Sequence, residues 1–536
     1  MNGAAADSPV LVVGGRTTGL MMAAELARHG VPVRIIDQSP GIDPHCRATV
    51  LHSRSLEILH GLGIADEIVA QSQPLHGMTV YTNGQFRGRA EELSVDSQFP
   101  FSIGLSQATT EAVLERHLNS FGVAVERNTQ LIALEQDAER VRATIRLADG
   151  REEIVDAPWL IGCDGAHSTV RHLTEDSFPG TADPFPYLLA DVIVDGPLQP
   201  EDVYIFLHDD GDLFLFILNE GRRFVVANVL ADTDLSQPPT LDSVQELVTK
   251  RSMGEFRVSD PRWLAYFHIH YRLAPRYRNG RTFLAGDAAH VHSLLGGQGM
   301  NTGLQDAHNL AWKLALVIRG IVPESWLDSY EVERRQVAAD VIAATKAATE
   351  TAELFAELSP LARDRLVHHM FVPASQRMKV RRHQEEIDLD YRTCALCIES
   401  ENEFQGGPHA GARAVDAESI LVAGEVCRLY DLLTHAKHSW IMFAPATPAE
   451  QLDEMTTAAE SVLREHGDWI SVYLVTNETV PCAVPDGVTV IEDPQHSLCR
   501  RYGIESTGAY LIRPDGYVAF RSRRCDSLGD YLDRVL

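Results

Sequence analysis

The sequence predicts an α/β fold in which a Rossmann-type domain is interrupted by a β-sheet domain and followed by a smaller domain. The N-terminal residues read as an apolar strand, a glycine-rich turn and a helix, the start of a Rossmann βαβ unit. Residues ~180 to 274 change to apolar runs broken by Asp-Gly and Glu-Gly turns, typical of antiparallel sheet. The last ~115 residues alternate again between strands and helices. A chain of 536 residues is long enough for two or three domains.

The first strand, turn and helix carry a dinucleotide-binding pattern. Val10–Gly14 is a continuous apolar run of the kind that buried parallel strands show. The turn after it, with Gly14, Gly15, Arg16 and Gly19, stands in the place of G-x-G-x-x-G. Asp37 ends the next apolar segment, where an acid would bind ribose hydroxyls.

Arg16 departs from this pattern, because it replaces the second glycine. That glycine normally lets the backbone approach a pyrophosphate with no side chain between them. Arg16 either swings outward and pairs with a phosphate as a forked donor, or crowds the pyrophosphate and weakens binding. The sequence leaves both outcomes open.

The most informative segment is residues 283–315. An apolar strand ends at an acid, Asp287; a loop with Gly296, Gly297 and Gly299 follows, and then a long helix. The acid can accept hydrogen bonds from sugar-like hydroxyls, the glycines let the backbone approach a flat ring, and the helix N-terminus favours negative charge. We interpret the segment as a flavin site. A buried strand-to-helix turn without a ligand explains Asp287 poorly.

Composition excludes several classes of partner. The net charge of -28 argues against binding to nucleic acid or to an anionic membrane surface, because phosphate contacts need clustered Lys and Arg. No secretory signal and no membrane-spanning run is visible, and the scattered cysteines fit a reducing compartment, so we expect a cytoplasmic protein. Cys394 and Cys397 have redox-motif spacing but follow no strand-to-helix turn, and we interpret that spacing as fortuitous. No metal site is predicted.

Three motifs in this order, Gly14–Gly19, Asp164-Gly165 and Gly286-Asp287, resemble those of the single-component FAD-dependent aromatic hydroxylases, the para-hydroxybenzoate hydroxylase family. The resemblance covers residues ~8 to 400. The tail is similar to the thioredoxin-like domain of larger members, such as phenol hydroxylase and pentachlorophenol monooxygenase. The tail has no C-x-x-C of its own, so packing or dimerisation is its expected role.

The resemblance implies the following domains: 1–178, the first part of the FAD-binding domain, with a small excursion into the substrate domain near 75–101; 179–274, a β-sheet substrate domain; 275–400, the second part of the FAD-binding domain with a helical region; and 401–536, the thioredoxin-like domain. It also implies non-covalent FAD, with NADPH or NADH and O2 as co-substrates, in a monomer or homodimer.

The family's cofactor contacts map onto this chain by motif. Asp37, with Gln38 beside it, would hold the adenosine ribose, and the backbone of Leu131 would meet adenine. Asp287 would bind the ribityl chain. The remaining cofactor positions implied are the following: Arg47 near pyrophosphate and ring, Gln107 near the ribityl or phosphate region, Asp164 (with Arg171) in the motif shared by FAD and nicotinamide binding, and Gly299, Met300 and Asn301 at the pyrimidine edge of the flavin.

Catalytic residues are less defined, and Arg47, His292 and Leu294 are the candidates. Leu294 replaces a proline whose carbonyl helps to orient a phenolic hydroxyl in the family. The expected substrate-lining residues are Phe214, Phe216, Leu295 and Gly296, with Phe214 and Phe216 on one face of their strand.

The reaction implied is hydroxylation of a phenolic or polycyclic aromatic substrate through a flavin C4a-hydroperoxide in a dry pocket. Two alternatives remain: Baeyer–Villiger oxygenation on the same fold, and a degenerate, non-catalytic member that binds flavin or an aromatic ligand.

Overall fold

The computed structural model describes residues 8–45, 48–229, 233–254, 256–358, 362, 367, 374–400, 404–433, 436–445, 449–477 and 484–536. The chain divides into two compact units. The first comprises Met1–Val95, Phe99–His308 and Arg334–Glu386, and the second comprises Asp96–Gln98, Asn309–Glu333 and Ile387–Leu536. The domain boundaries given above stay predictions.

The described strands are, in chain order, β1 (Val10–Val13), β2 (Val33–Ile36), β3 (Val50–Leu51), β4 (Gln73–Pro74), β5 (Gly77–Thr82), β6 (Gln85–Glu91), β7 (Ile103–Gly104), β8 (Val125–Glu126), β9 (Gln130–Gln136), β10 (Val141–Arg146), β11 (Glu152–Ala157), β12 (Leu160–Gly162), β13 (Gly180–Asp195), β14 (Asp202–Leu207), β15 (Leu213–Ile217), β16 (Arg222–Asn228), β17 (Arg257–Leu273), β18 (Arg278–Asn279), β19 (Thr282–Leu284), β20 (His290–Val291), β21 (Ile398–Glu399), β22 (Ile420–Val422), β23 (Glu425–Cys427), β24 (His438–Phe443), β25 (Ile470–Thr476), β26 (Val488–Glu492), β27 (Gly508–Ile512) and β28 (Val518–Ser522).

The described α-helices are α1 (Thr17–Arg28), α2 (Ser53–Gly61), α3 (Ala65–Ala70), α4 (Gln107–Ser120), α5 (Thr169–Leu173), α6 (Leu241–Ser252), α7 (Gly299–Ile318), α8 (Asp328–Glu357), α9 (Ala374–Gln384), α10 (Leu429–Leu432), α11 (Ala449–His466), α12 (Ser497–Arg501) and α13 (Leu528–Val535). Gly286–Ala288 and Glu324–Leu327 form 3-10 turns. Among these helices none combines the length and the apolar character that crossing a membrane requires.

The six-stranded sheet of the first unit brings the sequence motifs to one edge. Its order is β18-β19-β12-β1-β2-β8, and the pairs from β19 to β8 are parallel. Gly14, Asp37, Asp164 and Asp287 each follow the carboxyl end of a different strand, β1, β2, β12 and β19. Parallel strands end at the same edge, so the four motifs, up to ~270 residues apart in sequence, meet there. The parallel sheet and mixed α/β architecture predicted from the sequence are present in the structure.

The second large sheet of the first unit has two buried faces. Its order is β20-β17-β13-β16-β15-β14-β5-β6, so the hairpin of β5 and β6 joins the sheet made by residues 180–273. On one face Leu213 and Leu215 pack against α6. On the other face Phe214 packs with Phe224, and Leu294 and Leu295 of the glycine-loop segment contact the same cluster. The alternation along β15 therefore directs one face at α6 and the other at the glycine-loop segment.

The second unit is built on a separate eight-stranded sheet of order β21-β28-β27-β24-β25-β26-β22-β23. Strands β24, β25 and β26 are parallel, and β27 and β28 form the antiparallel hairpin expected around Pro514-Asp515-Gly516. The thioredoxin-like assignment of this unit stays a prediction.

A network of buried charges lies in the second unit. The Arg513 guanidinium contacts the Glu333 carboxylate at 2.6 and 2.8 Å and the Asp515 carboxylate at 2.5 and 2.9 Å. The Lys313 ammonium completes the network at 2.7 Å from Glu333. These cations outweigh the opposing effect of burial and hold the pKa of Glu333 well below its usual range. Cys394 and Cys397 lie beside Glu333, but that carboxylate is already occupied by Lys313 and Arg513, so we assign no metal to the group.

Arg513→Met should destabilise the protein by about 3–5 kcal/mol, because it leaves two carboxylates buried with one cation. Thermal and urea unfolding measure the effect. Arg464→Met is the matched control in the same unit: its side chain is 69% exposed and pairs with Glu465 in solvent, so Tm should change little. Equal Tm values for the two variants would contradict the assignment.

Candidate active site

One large cavity in the first unit joins the carboxyl edge of the six-stranded sheet to the second large sheet. Its volume is about 2010 Å³. That is at least twice what a single drug-sized ligand occupies, roughly 300–1,000 Å³. Polar residues that follow β1, β2, β12 and β19 line one part, and aromatic and aliphatic side chains line the other. The cavity has room for a dinucleotide cofactor and a second molecule.

The turn after β1 leaves no room for side chains. Gly14 has φ +109°, and a Cβ there would lie 2.3 Å from the carbonyl oxygen of Cys163. A Cβ on Gly19 would lie 1.8 Å from the carbonyl oxygen of Gly14. Asp37 fixes the turn from the other side, since its carboxylate accepts hydrogen bonds from the N–H groups of Gly15 (2.5 Å) and Ser39 (2.7 Å). Side chains at Gly14 and Gly19 would separate β1 from β12.

The Arg16 side chain lies between two carboxylates. Its guanidinium is 3.0 Å from Asp43 and 3.5 Å from Glu111, and the residue lines the cavity. Glu111 is buried and accepts hydrogen bonds from the N–H (3.2 Å) and hydroxyl (3.1 Å) of Thr17, at the start of α1, and from the Gln107 amide (2.8 Å). Burial raises the pKa of Glu111. The guanidinium is thus turned to the side of the glycine turn, toward Asp43 and Glu111.

Asp287 lies in the 3-10 turn Gly286–Ala288 and is exposed to the cavity. The turn is held from below by Asp306 of α7, whose carboxylate accepts the Gly286 N–H (3.0 Å) and lies 2.8 Å from Nε2 of His290. Burial opposes ionisation of Asp306, but Arg334 and His290 outweigh it, so its pKa lies below its ordinary value. Asp306 thereby anchors the turn while Asp287 faces the cavity.

The start of α7 forms part of the cavity wall. Gly299 and Met300 line it, and the first N–H groups of a helix have no partner within the helix. Asn301 is buried beneath them: its amide donates to the carbonyls of Val50 (2.9 Å) and Gly297 (2.7 Å). This bonding fixes the glycine loop against β3.

Asp164 and Arg171 connect two of the motifs. The Asp164 carboxylate accepts from the hydroxyl of Ser168 (2.6 Å) and the N–H of Val170 (3.1 Å), and burial raises its pKa. The Arg171 guanidinium donates to the carbonyl of Ala288 (2.7 Å), in the turn that carries Asp287. The pair therefore orients the segments after β12 and β19 relative to each other.

The apolar part of the cavity is formed by β15, its neighbours and the loop before α7. Phe214 and Phe216 stack with ring centroids 5.9 Å apart. His292 stacks on His290 at 6.3 Å and its Nδ1 lies 2.9 Å from the carbonyl of Ser293. Burial, with the nearby His290, lowers the pKa of His292 to about 4. His292 is therefore neutral at physiological pH.

Most predicted site residues line this cavity: Gly14, Arg16, Asp37, Gln38, Gln107, Leu131, Asp164, Asp287, Gly299 and Met300 among the cofactor positions, and His292, Leu294, Phe214, Phe216, Leu295 and Gly296 among the catalytic and substrate positions. Gly15, Gly19 and Asn301 lie behind the lining and shape it. Arg47 lies outside the described residues. The individual roles assigned to these residues stay predictions.

Sequence reasoning missed Glu111, Asp306 and the pair His52 and Glu385, which are buried polar residues behind the lining. Glu111 had one detectable signal, its i+4 spacing from Gln107 on α4. Asp306 lies within the 283–315 segment, but nothing there marks it as a buried anchor, and the partners of His52 and Glu385 are distant in sequence.

Comparison with known proteins decides the family. The model described as "FAD binding domain" matches residues 7–345. The 6-methylpretetramide 4-monooxygenase of Streptomyces rimosus is 34% identical, covering 97% of this chain and 92% of that protein. Pentachlorophenol 4-monooxygenase of Sphingobium chlorophenolicum is 30% identical, covering 100% and 98%. The chain belongs to the FAD-dependent aromatic hydroxylase family.

Solved structures agree with this membership. The ternary complex of aklavinone-11 hydroxylase with FAD and aklavinone superposes with a TM-score of 0.79 at 26% identity, covering 100% of both chains. The OxyS anhydrotetracycline hydroxylase from Streptomyces rimosus superposes with a TM-score of 0.75 at 27% identity, covering 98% of both chains. The chain is an FAD-dependent monooxygenase, as the sequence predicts.

The residues present fit FAD. The glycine turn after β1 would let a pyrophosphate approach the backbone at the N-terminus of α1. The exposed Asp287 carboxylate would suit the ribityl hydroxyls, and the open N–H groups at the start of α7 would suit the polar edge of the flavin. The cationic Arg16 beside the turn is compatible with a phosphate as a further partner.

Asp287→Ala should weaken FAD binding about tenfold to a hundredfold, because hydrogen bonds to a charged group contribute roughly 1.5–3 kcal/mol. Titration of apoprotein with FAD, followed by flavin fluorescence, measures this. Asp149→Ala, an exposed carboxylate in the turn between β10 and β11, is the control. Full retention of FAD by Asp287→Ala would contradict the ribityl placement.

His292→Gln should make the protein relatively more stable in acid. Unfolded histidine takes up a proton near pH 6.5, whereas folded His292 does so only near pH 4, so the wild type loses stability as pH falls from 6.5 toward 4. Tm measured from pH 7 to 4.5 should fall less steeply for His292→Gln than for the wild type. His76→Gln, at an exposed site, should follow the wild-type curve. Parallel curves for wild type and His292→Gln would show that His292 is not buried in the neutral form.

Proposed function

We propose that this hydroxylase uses NADPH or NADH and O2 to hydroxylate a phenolic or polycyclic aromatic substrate. The observation that carries the proposal is one continuous cavity of about 2010 Å³, lined by residues at the carboxyl edge of the six-stranded sheet, by aromatic side chains of the second large sheet, and by the glycine loop and the start of α7. Bound FAD would supply hydride acceptance and oxygen transfer through a C4a-hydroperoxide.

The chamber suits a flat, apolar molecule. Phe214, Phe216 and Phe224 come from the sheet and Leu294 and Leu295 from the loop, and the edge by α9 adds the charged side chains of Arg377 and Arg381. Related proteins are named for 6-methylpretetramide, pentachlorophenol and aklavinone. An aromatic ring bearing oxygen substituents matches both the apolar walls and the charged edge. With a substrate bound, the apolar face of the large sheet would exclude water, which would favour oxygen transfer over loss of hydrogen peroxide.

Within this chamber the chain's own groups bind and orient. We assign Asp37 and Gln38 to the adenosine ribose, Leu131 to adenine, Gln107 and Arg16 to the phosphate region, and Asp287 to the ribityl chain. His292 is neutral, so it can accept a hydrogen bond but carries no charge at physiological pH. The Leu294 carbonyl accepts the N–H of Gly297 at 3.0 Å within the glycine loop.

A cluster of basic residues at the mouth of the cavity supports the use of NADPH or NADH. His167, His268, His270 and Arg272 line this mouth, and the three histidines are exposed. Burial is the main cause that lowers the pKa of His270, and repulsion from the neighbouring Arg272, His268 and His167 lowers it further. A pyrophosphate would relieve that repulsion.

The direct test is oxygen incorporation. Purified holoenzyme is incubated with NADPH, ¹⁸O2 and a panel of phenols and polycyclic aromatic compounds, and products are analysed by mass spectrometry. The proposal predicts one ¹⁸O atom in a new hydroxyl group. A lactone or ester product would identify Baeyer–Villiger chemistry instead. If neither NADPH nor NADH reduces the bound FAD in the presence of any aromatic compound tested, the protein is a non-catalytic member.

Arg272→Ala should raise KM for NADPH about tenfold, since one charge-assisted contact to a phosphate is lost. Steady-state NADPH oxidation measures it, and FAD content should stay constant. Arg262→Ala on the same strand is the matched control, because Arg262 pairs with Glu220 on the surface. An unchanged KM for NADPH in Arg272→Ala would show that the basic cluster does not bind the nicotinamide cofactor.

A further inference from the structure

His52 is buried directly behind the glycine loop, and its hydrogen bonds define its protonation. Its Nε2 lies 2.8 Å from the carbonyl oxygen of Gly296. A carbonyl only accepts, so Nε2 carries a proton. Its Nδ1 lies 2.9 Å from the hydroxyl of Ser102 and 3.3 Å from the carboxylate of Glu385.

The second ring nitrogen is also protonated. Ser102 donates its hydroxyl proton to Glu385 at 2.5 Å, so its oxygen is left as an acceptor toward Nδ1. Both groups that face Nδ1 are therefore acceptors, and His52 is an imidazolium with each N–H bonded. Burial works against this charge, yet Glu385 and Glu386 outweigh it, and the pKa of His52 lies above its ordinary value of 6.5.

Glu385 anchors this ion pair to α2 and α9. Its second carboxylate oxygen accepts the N–H of Ser53 at 2.6 Å, at the start of α2. The Arg381 guanidinium of α9 lies 2.6 Å from Glu385 and 2.5 Å from Glu92. The charged groups around His52 are thus Glu385, Glu386 and Arg381, with Glu92 beyond Arg381.

The loop that His52 holds leads directly into the start of α7. The Gly296 carbonyl is bonded to His52, and the next carbonyl, Gly297, is bonded to the Asn301 amide at 2.7 Å. Asn301 also accepts the backbone N–H of His52 at 2.9 Å. Two consecutive carbonyls are therefore held by the buried side chains of His52 and Asn301. They come just before Gly299 and Met300, which line the cavity.

We propose that His52 is a positioning residue of the flavin site: paired with Glu385, it acts as a fixed cation that holds the Gly296 carbonyl and so sets the loop against which FAD binds. The inference rests on the proposed function only through FAD binding, and it requires neither NADPH nor an aromatic substrate. Because deprotonation at Nδ1 leaves the Nε2 proton bonded to Gly296 and removes only the charge, FAD affinity should be full near pH 6.5 and fall by no more than about threefold as pH rises through the elevated pKa of His52.

The experiment measures the Kd of oxidised FAD for apoprotein from pH 6 to 10. The wild type should lose affinity at high pH. His52→Ala should bind FAD about tenfold more weakly at pH 7, the loss expected for one charge-assisted hydrogen bond. His52→Gln retains a donor for Gly296 but cannot ionise, so it should bind within about threefold of the wild type at pH 7 and show no loss at high pH.

Two further variants separate the alternatives. His60→Gln lies on the same helix, α2, and contacts Phe99 instead of the loop, so it should match the wild type at every pH. Glu386→Gln tests the other buried group that could titrate in this range, since burial raises the pKa of Glu386 to about 7. This variant should still lose FAD affinity at high pH. If Glu386→Gln abolishes that loss while His52→Gln preserves it, the assignment to His52 is overturned.

Wild-type affinity and pH dependence in His52→Ala would also overturn the proposal. If His52→Ala does not fold, the pH profile of His52→Gln decides alone. A protein that shows the expected FAD profile but forms no hydroxylated product would contradict the proposed function and leave the role of His52 in place.

Discussion

The structure depends on the close approach of two chain turns, the one after β1 and the one after β12. Gly14 packs against the carbonyl of Cys163 and Gly19 against the carbonyl of Gly14 at distances that no Cβ allows. This contact keeps β1 and β12 in register as central parallel strands. Because β1 and β12 are held in register, the turns after β2 and β19 also reach the same edge of the sheet. That edge forms the cofactor end of the cavity.

Buried carboxylates hold the loops around that edge. Asp37 accepts the N–H of Gly15, Glu111 accepts the N–H of Thr17, and Asp306 accepts the N–H of Gly286. Each carboxylate bonds a backbone amide of a turn that lines the cavity. Such bonds orient the turns before any ligand arrives, so little reorganisation is needed on binding.

Among the described residues that line the cavity there is no obvious catalytic dyad, and the chemistry of this family accounts for that. The reactive chemistry of the family belongs to the cofactor, and the protein must position two ligands and exclude water. The aromatic wall from β15, the neutral His292 and the glycine loop all line the cavity. His52 and Glu385 extend the same principle to the loop itself, because they act on backbone geometry from behind the lining.

The sequence by itself determined the parallel sheet, the order of the glycine and acid motifs, and the alternation that places Phe214 and Phe216 on the same face of β15. Those features follow from local periodicity and from steric demands that glycine satisfies. It left the fate of Arg16 open, because the answer depends on Asp43 and Glu111, which lie 27 and 95 residues away.

Only the tertiary structure decided which buried polar groups meet. His52 and Glu385 are 333 residues apart, and Gly286 and Asp306 come together across a loop and a helix turn. No periodicity or motif marks such pairs. They form because a buried polar group must find a partner wherever the packed chain brings one within reach, and that is a property of the whole fold.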